Sequence, residues 1–165
     1  MTTSITTFLT YDTQAEEAAQ LYTSVFAGRI RETMRYPAGG PRPEGAVLSV
    51  TFELFGQTYI ALNGGPTFTF SPRFSLMVQV DTQAELDRLW TAMTENGGKE
   101  VQCGWLVDRF GLSWQIVPRQ LGELLSAADR SRAGRAMQAM MGMRKLELAT
   151  LQAAFDGTNH QGEGR

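Results

Sequence analysis

The chain writes one five-residue word twice. Asp12-Thr13-Gln14-Ala15-Glu16 returns as Asp81-Thr82-Gln83-Ala84-Glu85, and the offset is 81 − 12 = 69 residues. In each copy the word joins an apolar, strand-like run to an amphipathic, helix-like run. An offset of this size is the length of a supersecondary module, so the sequence predicts two copies of one module and a seam between them where a ligand is held. Thr13-x-x-Glu16 and Thr82-x-x-Glu85 both read as capping boxes that start a helix directly after a strand.

The first module is expected over residues 3–65. Residues 5–11 are β-branched and aromatic and predict a strand. A helix over residues 15–26 follows, with Ala18, Leu21, Tyr22, Val25 and Phe26 on its buried face and Gly28 placed to stop it. Strands are predicted over residues 29–36, 46–54 and 57–63, the first two separated by a loop rich in glycine and proline and the last two by a tight Phe55-Gly56 turn. A linker over residues 66–72 precedes a second module over residues 73–119. Its first strand covers residues 74–80, and its helix carries Leu86, Leu89, Trp90 and Met93 on one face until Asn96-Gly97-Gly98 ends it. Strands over 100–104, 105–108 and 112–117 complete it, closed by Pro118, which cannot donate to a ladder.

A helical extension is expected over residues 120–156, with a short helix at 121–125 and one long helix over 130–155. Ala133, Met137, Met140, Met141, Leu148, Leu151 and Phe155 form a broad apolar stripe there, read as a packing face against this chain's own sheet or a second copy. Residues 157–165 read as a disordered tail and contain the only histidine, His160.

The charge balance argues against two partner classes. A net charge of −2 and the absence of any basic run speak against nucleic acid and an anionic membrane as partners. No stretch approaches the roughly 18 consecutive apolar residues of a membrane span, and no charged segment followed by an apolar core stands at the start, so the expected location is the cytoplasm. A single cysteine, Cys103, forms no internal disulfide and removes any multi-cysteine metal cluster.

Two βαβββ modules, each with an aspartate closing its first strand, resemble the vicinal oxygen chelate superfamily of glyoxalase I, extradiol dioxygenases and antibiotic-sequestering proteins. Ala61-Leu62-Asn63-Gly64-Gly65-Pro66, Cys103-Gly104-Trp105-Leu106-x-Asp108-x-Phe110-Gly111-x-Ser113-Trp114-Gln115 and Met137-Gln138-Ala139-Met140 look like its PhnB-like branch, labelled 3-demethylubiquinone-9 3-methyltransferase. The resemblance implies an α+β fold, like that of glyoxalase and dihydroxybiphenyl dioxygenase, in which two curved mixed sheets form a cup. It also implies four metal-ligand positions on the first and fourth strands of each module, which fall here on Ile5, Ala61, Ser75 and Gln115. Neither Ile5 nor Ala61 binds a metal, Ser75 is a poor ligand and Gln115 offers one carbonyl oxygen, so no metal and no cofactor is expected.

With Ser75 facing the cup, Met77 and Gln79 share its face, as do Ser113, Gln115 and Val117 on the last strand, while Trp114 and Ile116 pack behind. In the first module Thr7, Leu9 and Tyr11, and Tyr59, Ala61 and Asn63, are expected to line the cup. Phe68, Phe70 and Trp105 form either its lid or a dimer contact, and Asn63 either presents an amide or caps a turn. Cys103 is the one strong nucleophile, but no histidine activates it, and the favoured reading is a small buried filler. Asp108 and Arg109 are favoured as a turn aspartate and a solvated arginine. The methyltransferase label finds no support in the residues, because the first strand-to-helix turn, Asp12-Thr13-Gln14-Ala15, contains no glycine to admit a nucleotide.

Three functions follow in order of preference. The first is metal-free binding of a small, neutral or weakly polar organic molecule by a homodimer. The second is an enzyme in which Gln115, Asn63 and Cys103 orient a quinone-like or other small organic substrate and polarise a carbonyl. The third is an interaction module that uses the methionine-rich helix.

Overall fold

In the computed structural model the described residues are residue 3 and residues 5–158, and the chain divides into two compact units, Met1–Ser71 and Pro72–Arg165. His160 and the rest of the expected tail beyond Thr158 lie outside the described residues.

The first unit runs β1 (Thr7–Tyr11), α1 (Ala15–Val25), β2 (Arg29–Arg35), β3 (Val47–Leu54) and β4 (Gln57–Asn63). Its sheet has the order β1-β4-β3-β2, with β1 parallel to β4 and the other pairs antiparallel. One face is covered by α1, whose Ala15, Ala18, Ala19 and Tyr22 are buried with Val50, Phe52 and Ala61 of the strands. The alanines let the helix lie close to the sheet, and the buried aromatics supply most of the apolar area removed from water, about 2–3 kcal/mol for a side chain the size of Phe52. Tyr22 and Phe52 meet at 6.0 Å, and Phe52 stacks on Tyr59 at 5.4 Å.

The start of α1 differs from the expected capping box. Its cap residue is Gln14, and no side chain of the local sequence caps it. Asn63 does so from the end of β4: its Oδ1 accepts from the Ala15 N–H at 2.9 Å while its Nδ2 donates to the Val47 carbonyl at 3.0 Å. The parallel register that sets Tyr11 beside Asn63 brings this amide under the helix start. At the other end the chain leaves the helix through Ala27, at φ 50°, and Gly28 serves a different need. A Cβ at Gly28 falls 2.3 Å from the Glu53 carbonyl oxygen, so only glycine admits this approach of backbone to backbone.

The second unit repeats the order with β5 (Ser75–Val80), α2 (Gln83–Thr94), β6 (Lys99–Glu100), β7 (Trp105–Val107) and β8 (Ser113–Pro118), in the sheet order β5-β8-β7-β6. Here the N-cap forms as expected, since Thr82 Oγ1 accepts from the Glu85 N–H at 3.2 Å, and Leu86, Leu89, Trp90 and Met93 are the buried residues of α2. The strand expected over 100–104 shrinks to two residues. Cys103 and Gly104 stand at φ 60° and 81°, a left-handed pair no ladder accommodates, and their N–H groups donate to Met143 and Arg144 carbonyls at 2.8 Å each.

Those carbonyls belong to the extension, which is three helices: α3 (Gln120–Ser126), α4 (Arg130–Met141) and α5 (Leu148–Asp156). The single long helix expected over 130–155 is therefore broken at residues 142–147. That segment is held by other partners: Gln83 donates to the Leu146 carbonyl at 3.0 Å and accepts from the Leu148 N–H at 2.8 Å, Lys145 pairs with Asp87 at 2.5 Å, and Leu146 is fully buried. Only part of the apolar stripe packs within this chain. Ala133 and Ala136 are the buried face of α4, whereas Met137 and Met141 stand exposed. Two arginines of α4 close the pair of helices: Arg135 donates to the Ala154 and Phe155 carbonyls and Arg132 pairs with Asp156. Gly157, at φ 77°, caps α5, and the Thr158 N–H donates to the Ala153 carbonyl at 2.9 Å. Among the described residues no helix is long and apolar enough to cross a membrane.

Candidate functional site

Each sheet has one face under its helix and one face turned away from it. In the second unit Trp114 and Ile116 lie on the helix side, with Trp114 Nε1 donating to Asp108 Oδ2 at 2.8 Å. Alternation puts Gln115 on the other face, and the register sets Met77 beside it on β5 and Trp105 beside it on β7. Gln115 Nε2 donates to Ser75 Oγ at 2.9 Å. Met77 is 55% exposed and Trp105 half-buried, so this polar pair sits between an accessible thioether and an indole. Ser113 is buried on the same face, and Gln79 accepts from Arg119 at 3.4 Å, with Arg119 also on Asp81.

The first unit is inverted relative to expectation. Tyr11 and Tyr59 are buried on the helix side, as the 3.1 Å contact between the Tyr11 and Tyr22 hydroxyls shows, and burial pushes the Tyr59 phenol upward in pKa. Thr7 shares their face by alternation, and the amide of Asn63 is engaged, its Oδ1 by the start of α1 and its Nδ2 by the Val47 carbonyl of β3. The cause is a count of one residue. Ile5 stands seven residues before Asp12 whereas Ser75 stands six before Asp81, and in a strand a single step exchanges the two faces. The repeat offset gives 75 − 69 = 6 and 77 − 69 = 8, so Thr6 matches Ser75 and Phe8 matches Met77. Ile60, which pairs with Phe8, then matches Gln115, which pairs with Met77. The helix-free face of the first sheet accordingly carries Phe8, Thr10, Ile60 and Leu62, and Ile5 lies fully exposed outside β1.

Other candidates fall elsewhere. Phe70 packs edge-on against Tyr11 at 5.1 Å, and Phe68 is 59% exposed. Cys103 is half-buried rather than a buried filler, with its Sγ 3.8 Å from Met141 Sδ. Asp108 is a buried turn aspartate that accepts from the Phe110 and Leu112 N–H groups, and Arg109 lies over the Phe110 ring at 4.9 Å. The described residues of the first unit include two clefts of note. The larger, about 420 Å³, lies between Phe26 and Phe55, with Arg29 and Glu53 on its wall. There Arg31 and Arg29 hold the Glu53 carboxyl below the usual carboxylate range. The other, about 230 Å³, lies by Thr13, Glu16 and Arg42.

The residues do not fit the metal that the resemblance implies. At the register-corrected positions the first unit offers a hydroxyl and a hydrocarbon, Thr6 and Ile60, and the second a hydroxyl and an amide that bond to each other, Ser75 and Gln115. A divalent cation requires several carboxylate oxygens or imidazoles. Among the described residues no three of His, Cys, Asp and Glu converge.

Comparison with known proteins bears on the same residues. Residues 3–117 match the model of a family described as 3-demethylubiquinone-9 3-methyltransferase. A PhnB protein from Bacillus cereus is 35% identical, over 70% of this chain and 99% of that one, with a TM-score of 0.64. Protein PA1353 from Pseudomonas aeruginosa is 20% identical over 71% and 98%, with a TM-score of 0.59. The fosfomycin resistance protein FosX from Mesorhizobium loti is 12% identical over 77% and 99%, with a TM-score of 0.55. The last two are likenesses of fold alone. No curated protein matches the chain. The family match ends before α3, so α3, α4 and α5 lie outside it.

Proposed function

We propose, on the premise that the chain belongs to the 3-demethylubiquinone-9 3-methyltransferase family of the vicinal oxygen chelate superfamily, that it binds a small, neutral or weakly polar organic molecule without a metal. The observation that carries this reading is the Gln115–Ser75 pair, set between Met77 and Trp105 on the helix-free face of the second sheet. An apolar surface with a small number of placed polar groups suits such a ligand. The methyltransferase description is not carried over: neither the Asp12-Thr13-Gln14 turn nor the Asp81-Thr82-Gln83 turn holds a glycine that lets backbone approach a nucleotide. The enzymatic alternative is weakened at two of its three residues, because Asn63 is occupied by α1 and β3 and Cys103 faces Met141.

Native mass spectrometry of gently purified protein is expected to retain an organic compound of a few hundred daltons on the chain. Calorimetry with zinc, nickel and manganese is expected to give no tight site; one ion bound tightly per chain contradicts the metal-free reading. We take the working form to be a cytoplasmic homodimer, a reading supported by the exposure of Phe8 and Met34. Light scattering at the monomer mass contradicts it.

A further inference from the structure

The two modules differ most at one matched position. Where the first sheet has Ile60 beside Phe8, the second has Gln115 beside Met77. The helix-free face of the second sheet therefore holds a hydrogen-bonding centre that its twin lacks. A glutamine amide has one acceptor oxygen and two donor hydrogens. In Gln115 one N–H is committed to Ser75 Oγ at 2.9 Å, which leaves Oε1 and the second N–H without a hydrogen-bond partner among the described residues. The Ser75 contact fixes the amide from one side, and the register sets the Trp105 indole on the other. The oxygen is the acceptor that a ligand's donor would meet, beside one remaining N–H.

We propose that Gln115 Oε1 is the specificity-determining acceptor of the site, and that the ligand is a planar aromatic compound that presents an O–H or N–H to it, as a phenol or an indole-like heterocycle does. The inference rests on the small-molecule reading above and deepens it. Trp105 and Met77 supply the surfaces that a flat ring covers, an indole for stacking and a thioether that makes favourable contacts with a ring. An amide oxygen that loses its water to an apolar ring edge is left unpaired, which disfavours a ligand lacking the donor. Discrimination then works against the ether or the N-alkylated analogue, whose size and shape are nearly unchanged.

The test uses 1-naphthol and 1-methoxynaphthalene as probes, titrated into the full chain and followed by the indole N–H signal of Trp105 in nitrogen-15 NMR spectra. The naphthol is expected to bind about tenfold more tightly than the ether, the scale of one hydrogen bond. Gln115→Leu is expected to reduce that ratio to near one, and Gln115→Glu, which keeps an acceptor, to preserve it. Both variants are checked for an unchanged amide spectrum away from β5, β7 and β8. Equal affinity for the two probes in the unaltered protein, or a ratio that survives Gln115→Leu, overturns the inference while the small-molecule reading stands. No shift with either probe, nor with indole, removes both.

Discussion

At the residue scale, Asn63 shows how a candidate site group becomes a structural one. Its carboxamide joins the start of α1 to the start of β3, with both hydrogen-bonding atoms engaged. Asn63→Ala is expected to destabilise the chain by about 1–3 kcal/mol in chemical denaturation, since it removes a cap and leaves a buried N–H unpaired. Thr13→Val, at the residue that local sequence nominates for the same task, is expected to change stability by less than about 0.5 kcal/mol. The helix cap was legible at Thr82 and misleading at Thr13, because no local pattern reports an amide arriving from a strand 48 residues on. The same holds for the lining of the first sheet. A β-strand has a period of two, so the identity of the apolar residues was legible but their face hinged on one residue of counting.

At the element scale, the segment between α4 and α5 is the least legible part of the chain, since Met140, Met141, Leu148 and Leu151 continue a helical spacing across it. Tertiary contacts override that spacing: Cys103 and Gly104 take the Met143 and Arg144 carbonyls, and Gln83 takes the Leu146 carbonyl and the Leu148 N–H. Gly104→Ala is expected to cost more than about 1 kcal/mol, because the residue stands at φ 81° and its Cβ falls 2.9 Å from Leu146 Cδ1. The Lys145–Asp87 pair adds a pH dependence with two signs. Lys145 lowers the Asp87 carboxyl through their hydrogen bond, with Gln83 assisting, so that contribution is present above the ordinary carboxylate range and is lost as pH falls through the lowered value. Asp87 in turn raises the Lys145 ammonium, with Glu147 assisting, so that contribution is present below the ordinary lysine range and is lost as pH rises through the raised value. Hydrogen exchange is expected to show residues 143–148 best protected between those limits, and Asp87→Asn to flatten the acid side.

At the scale of the whole molecule, the repeated pentapeptide makes the two βαβββ units, their strand runs and their helix positions legible from the amino-acid order alone. It does not reveal that the two copies have diverged on their helix-free faces. Those matched faces read differently: Phe8, Ile60 and Leu62 form an apolar surface in the first, and Ser75 and Gln115 a polar centre in the second. The central claim is that this polar centre is where a small molecule binds. The most direct measurement is a crystallographic screen of neutral aromatic fragments against the full chain. The account predicts fragment density against Gln115, Met77 and Trp105, with a donor atom within hydrogen-bond distance of Gln115 Oε1. Fragments that gather instead in the Phe26–Phe55 cleft of the first unit, with the second sheet left bare, contradict it.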